Sequence, residues 1–146
     1  MVRLKEFIKN LSSGIMPVRE LLDRGIKLGL GSDIGAGHNS ALYRVIISAI
    51  QLSKVRSFYE PQTKPLTTAE AFYLGTKGGG SFFGNVGSFE QGYAFDAIVV
   101  EDEPLITAGL SVVERLERFL YTGEAGNIIA RFVEGEKISY EEKDPN

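Results

Sequence analysis

Residues 25–40 read GIKLGLGSDIGAGHNS. An apolar run from Ile26 to Leu30 ends in Gly31, Ser32 and Asp33. The run is short and, apart from Lys27, apolar, which suits a strand buried on both faces, as in parallel sheets. Such a strand delivers Asp33 to its carboxyl end, into a turn lined by Gly35 and Gly37. Parallel α/β folds gather the groups that act on substrates at that end. An aspartate in this place can equally cap the turn that follows it, using its own short side chain. The pattern alone leaves both roles for Asp33 open.

Working outward, residues 16–24 predict a short helix. Pro17 fits its first turn, Val18, Leu21 and Leu22 form an apolar stripe, and Gly25 fits a left-handed cap. Downstream, Asn39 or Ser40 is the expected cap of a helix reaching about residue 55, with Leu42, Val45, Ile46, Ala49, Ile50 and Ser53 on its inner side. A proline loop over 57–65 precedes TTAE at 67–70, a capping box. The helix behind it is expected to stop near glycines 78–80. GTKGGGS at 75–81 has only the composition of a phosphate loop: it follows a helix and lacks the Gly-Lys-Ser/Thr ending. Helix termination is therefore the reading given to this run. A strand over 97–100 precedes an acidic run, Glu101 to Glu103, expected to be a solvated face. Ser111 and Glu114 form a second capping box, and two short strands surround a Glu134–Gly135 turn. One parallel-type strand cannot make a sheet. Either early residues supply its partner or the unit belongs to a larger sheet.

Composition narrows the chemistry. The chain of 146 residues is 43% hydrophobic, enough for a globular core. A net charge of −3 without a basic stripe argues against a nucleic-acid partner. No run approaches the roughly 18 apolar residues of a membrane span, so no membrane partner is expected. Without cysteine there are no disulfides, thiolate ligands or thiol nucleophiles, which agrees with a cytoplasmic location. His38 is the sole histidine, whereas catalytic zinc sites mostly use several. A lone loop histidine is read as solvated, with a ligand or substrate contact as the sharper alternative.

Several segments resemble one family. GIKLGLGSDIGAG resembles the last barrel strand of the metal-dependent amidohydrolases, and of the guanine deaminases in particular. SSGIMPVRELLDRG is similar to the helix before that strand. LTTAEAFYLGTKGGGSFFG followed by VGSFEQGYAFDAIVV resembles the superfamily's passage out of the barrel, and ARFVEGEKI its terminal strand pair. VERLERFLYTGEAGNI resembles a stretch more particular to guanine deaminases. The likeness covers about residues 11–140.

The resemblance implies an α/β fold: the C-terminal part of a (β/α)8 barrel, with its last strand and helices, in 1–80. The C-terminal strands of a small composite β-sandwich would follow in 81–146, with an inserted helix at about 112–122. It implies hydrolytic deamination of guanine to xanthine and ammonia in the intact enzyme, with zinc supplying hydroxide near neutral pH. By its place in GSDIGAG, Asp33 is implied to be both metal ligand and catalytic proton acceptor. The family's His-x-His pair, its later histidines and its proton-transfer glutamate have no counterpart in these residues. Neither does the CPxSN-like segment expected before the first helix. The chain is therefore expected to be inactive alone and not to hold zinc stably. Its expected partners are the purine substrate and either another copy or the missing N-terminal part. The alternative is a non-catalytic α/β interaction or self-association domain that reuses the fold.

Overall fold

A computed structural model describes residues 2–4, 14–35, 37, 39–103 and 109–139. The chain divides into two compact units, Met1–Gly87 and Ser88–Asn146. The boundary expected from the sequence, 80/81, falls inside the first unit. The reason is local: a Cβ on Gly87 would lie 2.6 Å from the Thr76 carbonyl oxygen, and one on Gly80 would strike the Val86 carbonyl. The segment after the glycine run thus folds back onto it.

In the first unit, β1 (Val2–Leu4) pairs in parallel with β2 (Leu28–Leu30), placing Val2 opposite Leu28 and Leu4 opposite Leu30. Early residues therefore do supply the strand's partner. The connection carries α1 (Val18–Asp23), shorter than the expected 16–24. Pro17 lies outside it as the N-cap, with ψ at 66°. Gly25, with φ at 72°, takes the left-handed position past the end, and its N–H donates to the Leu22 carbonyl at 2.8 Å. Ile26 and Lys27 are exposed, so β2 begins later than its apolar run.

Next comes α2 (Leu42–Tyr59). Its N-cap is Ala41, with no side-chain cap, and not Asn39 or Ser40. The Asn39 Oδ1 instead accepts the Ala41 N–H at 2.8 Å and shapes the preceding turn. The helix also outlasts its expected end. Arg56, in its last turn, donates to the Ile15 carbonyl at 2.9 Å and pairs with Glu60 at 2.7 Å, which ties that turn down. Val45, Ile46, Ile47 and Ile50 of α2 are buried together with Leu28, Leu30, Leu66, Ala71 and Leu74, and these side chains form the core of this unit.

The Thr67–Glu70 capping box opens α3 (Thr68–Tyr73). Helical winding then passes into a π-helical turn, Leu74–Gly78, and runs on through residue 80. The winding thus ends within the 78–80 glycine run, as expected, but stopping the helix is not all that the run does. It also allows close approach: a Cβ on Gly29 of β2 would lie 2.7 Å from the Gly79 Cα, and one on Gly78 would lie 3.1 Å from the Leu28 carbonyl oxygen. Gly75 leaves equally little room beneath Ile46. Backbone rather than side chain seats this turn on β2.

The second unit holds an antiparallel sheet in the order β3 (Ala97–Val100), β4 (Ile128–Val133), β5 (Glu136–Lys137). Glu134 and Gly135 both have positive φ, 51° and 85°, as a twist-matched two-residue hairpin turn requires. The Asp96 Oδ1 accepts the Glu134 N–H at 2.8 Å, pinning that turn to the start of β3. α4 (Val112–Thr122) opens on the expected Ser111–Glu114 box and buries Phe119 and Leu120. The acidic run is not uniformly solvated, because Asp102 accepts two hydrogen bonds from the Arg115 guanidinium. The pair lowers the Asp102 carboxyl below its ordinary value, chiefly through those bonds. No described helix is long and apolar enough to cross a membrane.

Candidate functional site

Asp33 stands three residues beyond the end of β2, partly buried. Its φ of 51° is left-handed, a region that Asp tolerates better than most residues because its short side chain bonds locally. The Asp33 carbonyl accepts the Gly37 N–H at 2.6 Å, and Ile34 bridges to Gly37. Gly35 between them has φ at 101°. A Cβ on Gly37 would strike the Ser32 carbonyl oxygen, so only glycine fits there. The chain after β2 therefore closes a tight loop on itself before Asn39 turns it into α2. The Ile34 side chain stands on the outside of this loop, 81% exposed. His38 lies outside the described residues.

Among the described residues, no group of three or more His, Cys, Asp or Glu side chains could hold a metal ion. Asp33 is a single hard oxygen donor, and a zinc centre takes three or four protein ligands. The described residues do not fit a resident metal by themselves.

A second polar constellation lies elsewhere in the first unit. Arg19 on α1 meets Glu70 on α3 at two points, 2.8 and 2.9 Å, and its Nε donates to the Lys64 carbonyl at 3.3 Å. The Arg19 hydrogen bonds, helped by the Thr67 N–H and hydroxyl, hold the Glu70 carboxyl far below the usual range, at about 2. Both side chains line an open cleft of about 480 Å³ with Leu22, Asp23, Ala69, Tyr73 and Leu74. That cleft shares no lining residue with the Asp33 loop. Here each charge satisfies the other, so the pair works as a strap between helices. The sequence marks Glu70 only as a capping residue; its partner is 51 positions away.

The sequence profile described as the amidohydrolase family matches residues 3–138. The chain belongs to the amidohydrolase family. It is 36% identical over 138 residues to a guanine deaminase of Dictyostelium discoideum, covering 89% of this chain and 31% of that protein. A crystal structure of guanine deaminase from C. acetobutylicum, with guanine bound in its active site, superposes with a TM-score of 0.87 at 51% identity. The match covers 90% of this amidohydrolase chain and 32% of that one. An adenosine deaminase from Xanthomonas campestris, solved with bound zinc, shares the fold at 21% identity and a TM-score of 0.74, over 93% of this chain and 31% of its own. The chain thus spans about a third of the length of these relatives.

Proposed function

We propose that this chain forms the closing portion of a guanine deaminase-like amidohydrolase, which hydrolyses guanine to xanthine and ammonia. In this reading β2 is the last strand of the barrel, the first unit completes its final helix–strand units, and the second supplies C-terminal strands of the small β domain. The observation that carries the reading is the 51% identity to the guanine-bound C. acetobutylicum enzyme. Asp33 is the metal ligand and proton acceptor that this chain contributes; its place at the end of β2 and the resemblance of GSDIGAG to the family's last-strand segment support this. The metal is zinc, as in the adenosine deaminase of the same fold. The remaining ligands and most purine contacts come from the rest of the enzyme, so the chain alone neither retains zinc nor turns over guanine. Its partner is that remaining portion, or further copies of the assembled enzyme, in the cytoplasm.

A graft tests this. This chain replaces the matched third of the C. acetobutylicum enzyme, and xanthine formation from guanine is measured. Activity that Asp33→Ala abolishes supports the reading. A folded, zinc-loaded graft without activity sinks it and favours a non-catalytic role. Xanthine formation by the isolated chain with added zinc overturns its inactivity alone.

A further inference from the structure

We infer that Gly37 is the positioning residue for Asp33: its N–H, and its lack of a side chain, hold the aspartate in the left-handed conformation that fixes where the carboxylate leaves the strand. The inference rests on the role proposed above for Asp33. Four observations converge on it. Asp33 has φ at 51°, a left-handed value that Asp tolerates at some energetic cost, so a contact that supports it matters. The Gly37 N–H reaches back four residues to the Asp33 carbonyl at 2.6 Å, a direct restraint on that peptide unit. Any Cβ at position 37 collides with the Ser32 carbonyl and lies 3.2 Å from the Asp33 carbonyl oxygen. Gly35, with φ at 101°, lets the chain double back within this span. From the other side, the strand carrying the loop is seated by backbone contact between Gly29 and Gly79. The loop is thus closed at one point and anchored at another, and Gly37 is the member whose replacement opens it without touching the core.

Two measurements decide it. In the native chain, NMR should show a strong intraresidue amide–Hα contact at Asp33, the mark of positive φ, and a protected Gly37 amide. Their absence overturns the proposal with no variant needed. In Gly37→Ala the amide at 37 should exchange about tenfold faster or more, with altered Asp33 Cα and Cβ shifts and unchanged β2 amides. Unaltered exchange and shifts overturn the proposal. In the grafted enzyme, Gly37→Ala should lower kcat about tenfold or more while KM for guanine stays within about threefold. A merely structural role would lower the folded yield and leave kcat per folded molecule intact, which also overturns it. If the unsubstituted graft makes no xanthine while the NMR results hold, the proposed function fails and the loop geometry stands.

Discussion

The Arg19 guanidinium and the Glu70 carboxylate meet in a two-point bond, at 2.8 and 2.9 Å, that ties α1 to the start of α3. The same carboxylate accepts the Thr67 N–H at 2.8 Å, so one side chain caps a helix and straps another to it.

Acid should loosen this strap. The Glu70 carboxyl is lowered from 4.5 to about 2 in the folded chain. Its contribution is therefore fully present above the ordinary value of 4.5 and is lost as pH falls from there toward about 2. The pair is partly solvent-exposed, which screens it, so the loss is ~1–2 kcal/mol. Urea unfolding of the native chain and of Arg19→Met, between pH 7 and pH 2, checks this. The variant should start less stable and lose less on acidification. Parallel pH profiles would refute the assignment.

Crowding makes a second expectation. Gly29→Ala places a methyl group 2.7 Å from the Gly79 Cα, backbone against backbone, where neither side can yield by rotating a side chain. It should destabilise the chain by ~1–3 kcal/mol. Gly126→Ala, where an added Cβ meets nothing within 4 Å, serves as the comparison and should be nearly neutral. Equal melting temperatures for the two variants would contradict the backbone seat.

At Asp33, charge and conformation can be separated. Asn tolerates φ near 51° at least as well as Asp, whereas Ala does not. Asp33→Asn should leave the stability of the chain nearly unchanged, and Asp33→Ala should lower it by ~1 kcal/mol. Both should abolish xanthine formation in the grafted enzyme. Activity in the Asn variant would remove the carboxylate from the proposed chemistry.

In the second unit, α4 depends on its first turn. Ser111 Oγ accepts the Glu114 N–H at 3.3 Å while Glu114 accepts the Ser111 N–H at 2.8 Å. Ser111→Ala should cost ~1 kcal/mol, and Ser111→Asp should restore most of it. Circular dichroism during thermal unfolding reads both. A loss of stability in Ser111→Asp as large as in Ser111→Ala would discount the cap.

Local chemistry alone determined much of this fold. The two capping boxes place the starts of α3 and α4, because a side-chain oxygen and an acid three residues on satisfy helix N–H groups without help from elsewhere. The Glu134–Gly135 turn and the left-handed Gly25 are local in the same way. The strand-end place of Asp33 follows from the apolar run before it, and the amidohydrolase likeness was carried by the motifs around it. Tertiary contact decided the rest. The glycines at 78–80 read as a helix stop, and the winding does end there, but the π-helical turn before them and the close approach of Gly78 and Gly79 to β2, some 50 residues earlier in the chain, were set by packing. The length of α2 was set by Arg56 reaching the Ile15 carbonyl, and the bonds of Glu70 and Asp102 by arginines distant in sequence. The left-handed backbone of Asp33 belongs with these. A strand-end aspartate is visible in the sequence, but the loop that holds it exists only because Gly37 can approach the Ser32 and Asp33 carbonyls more closely than any side chain would allow.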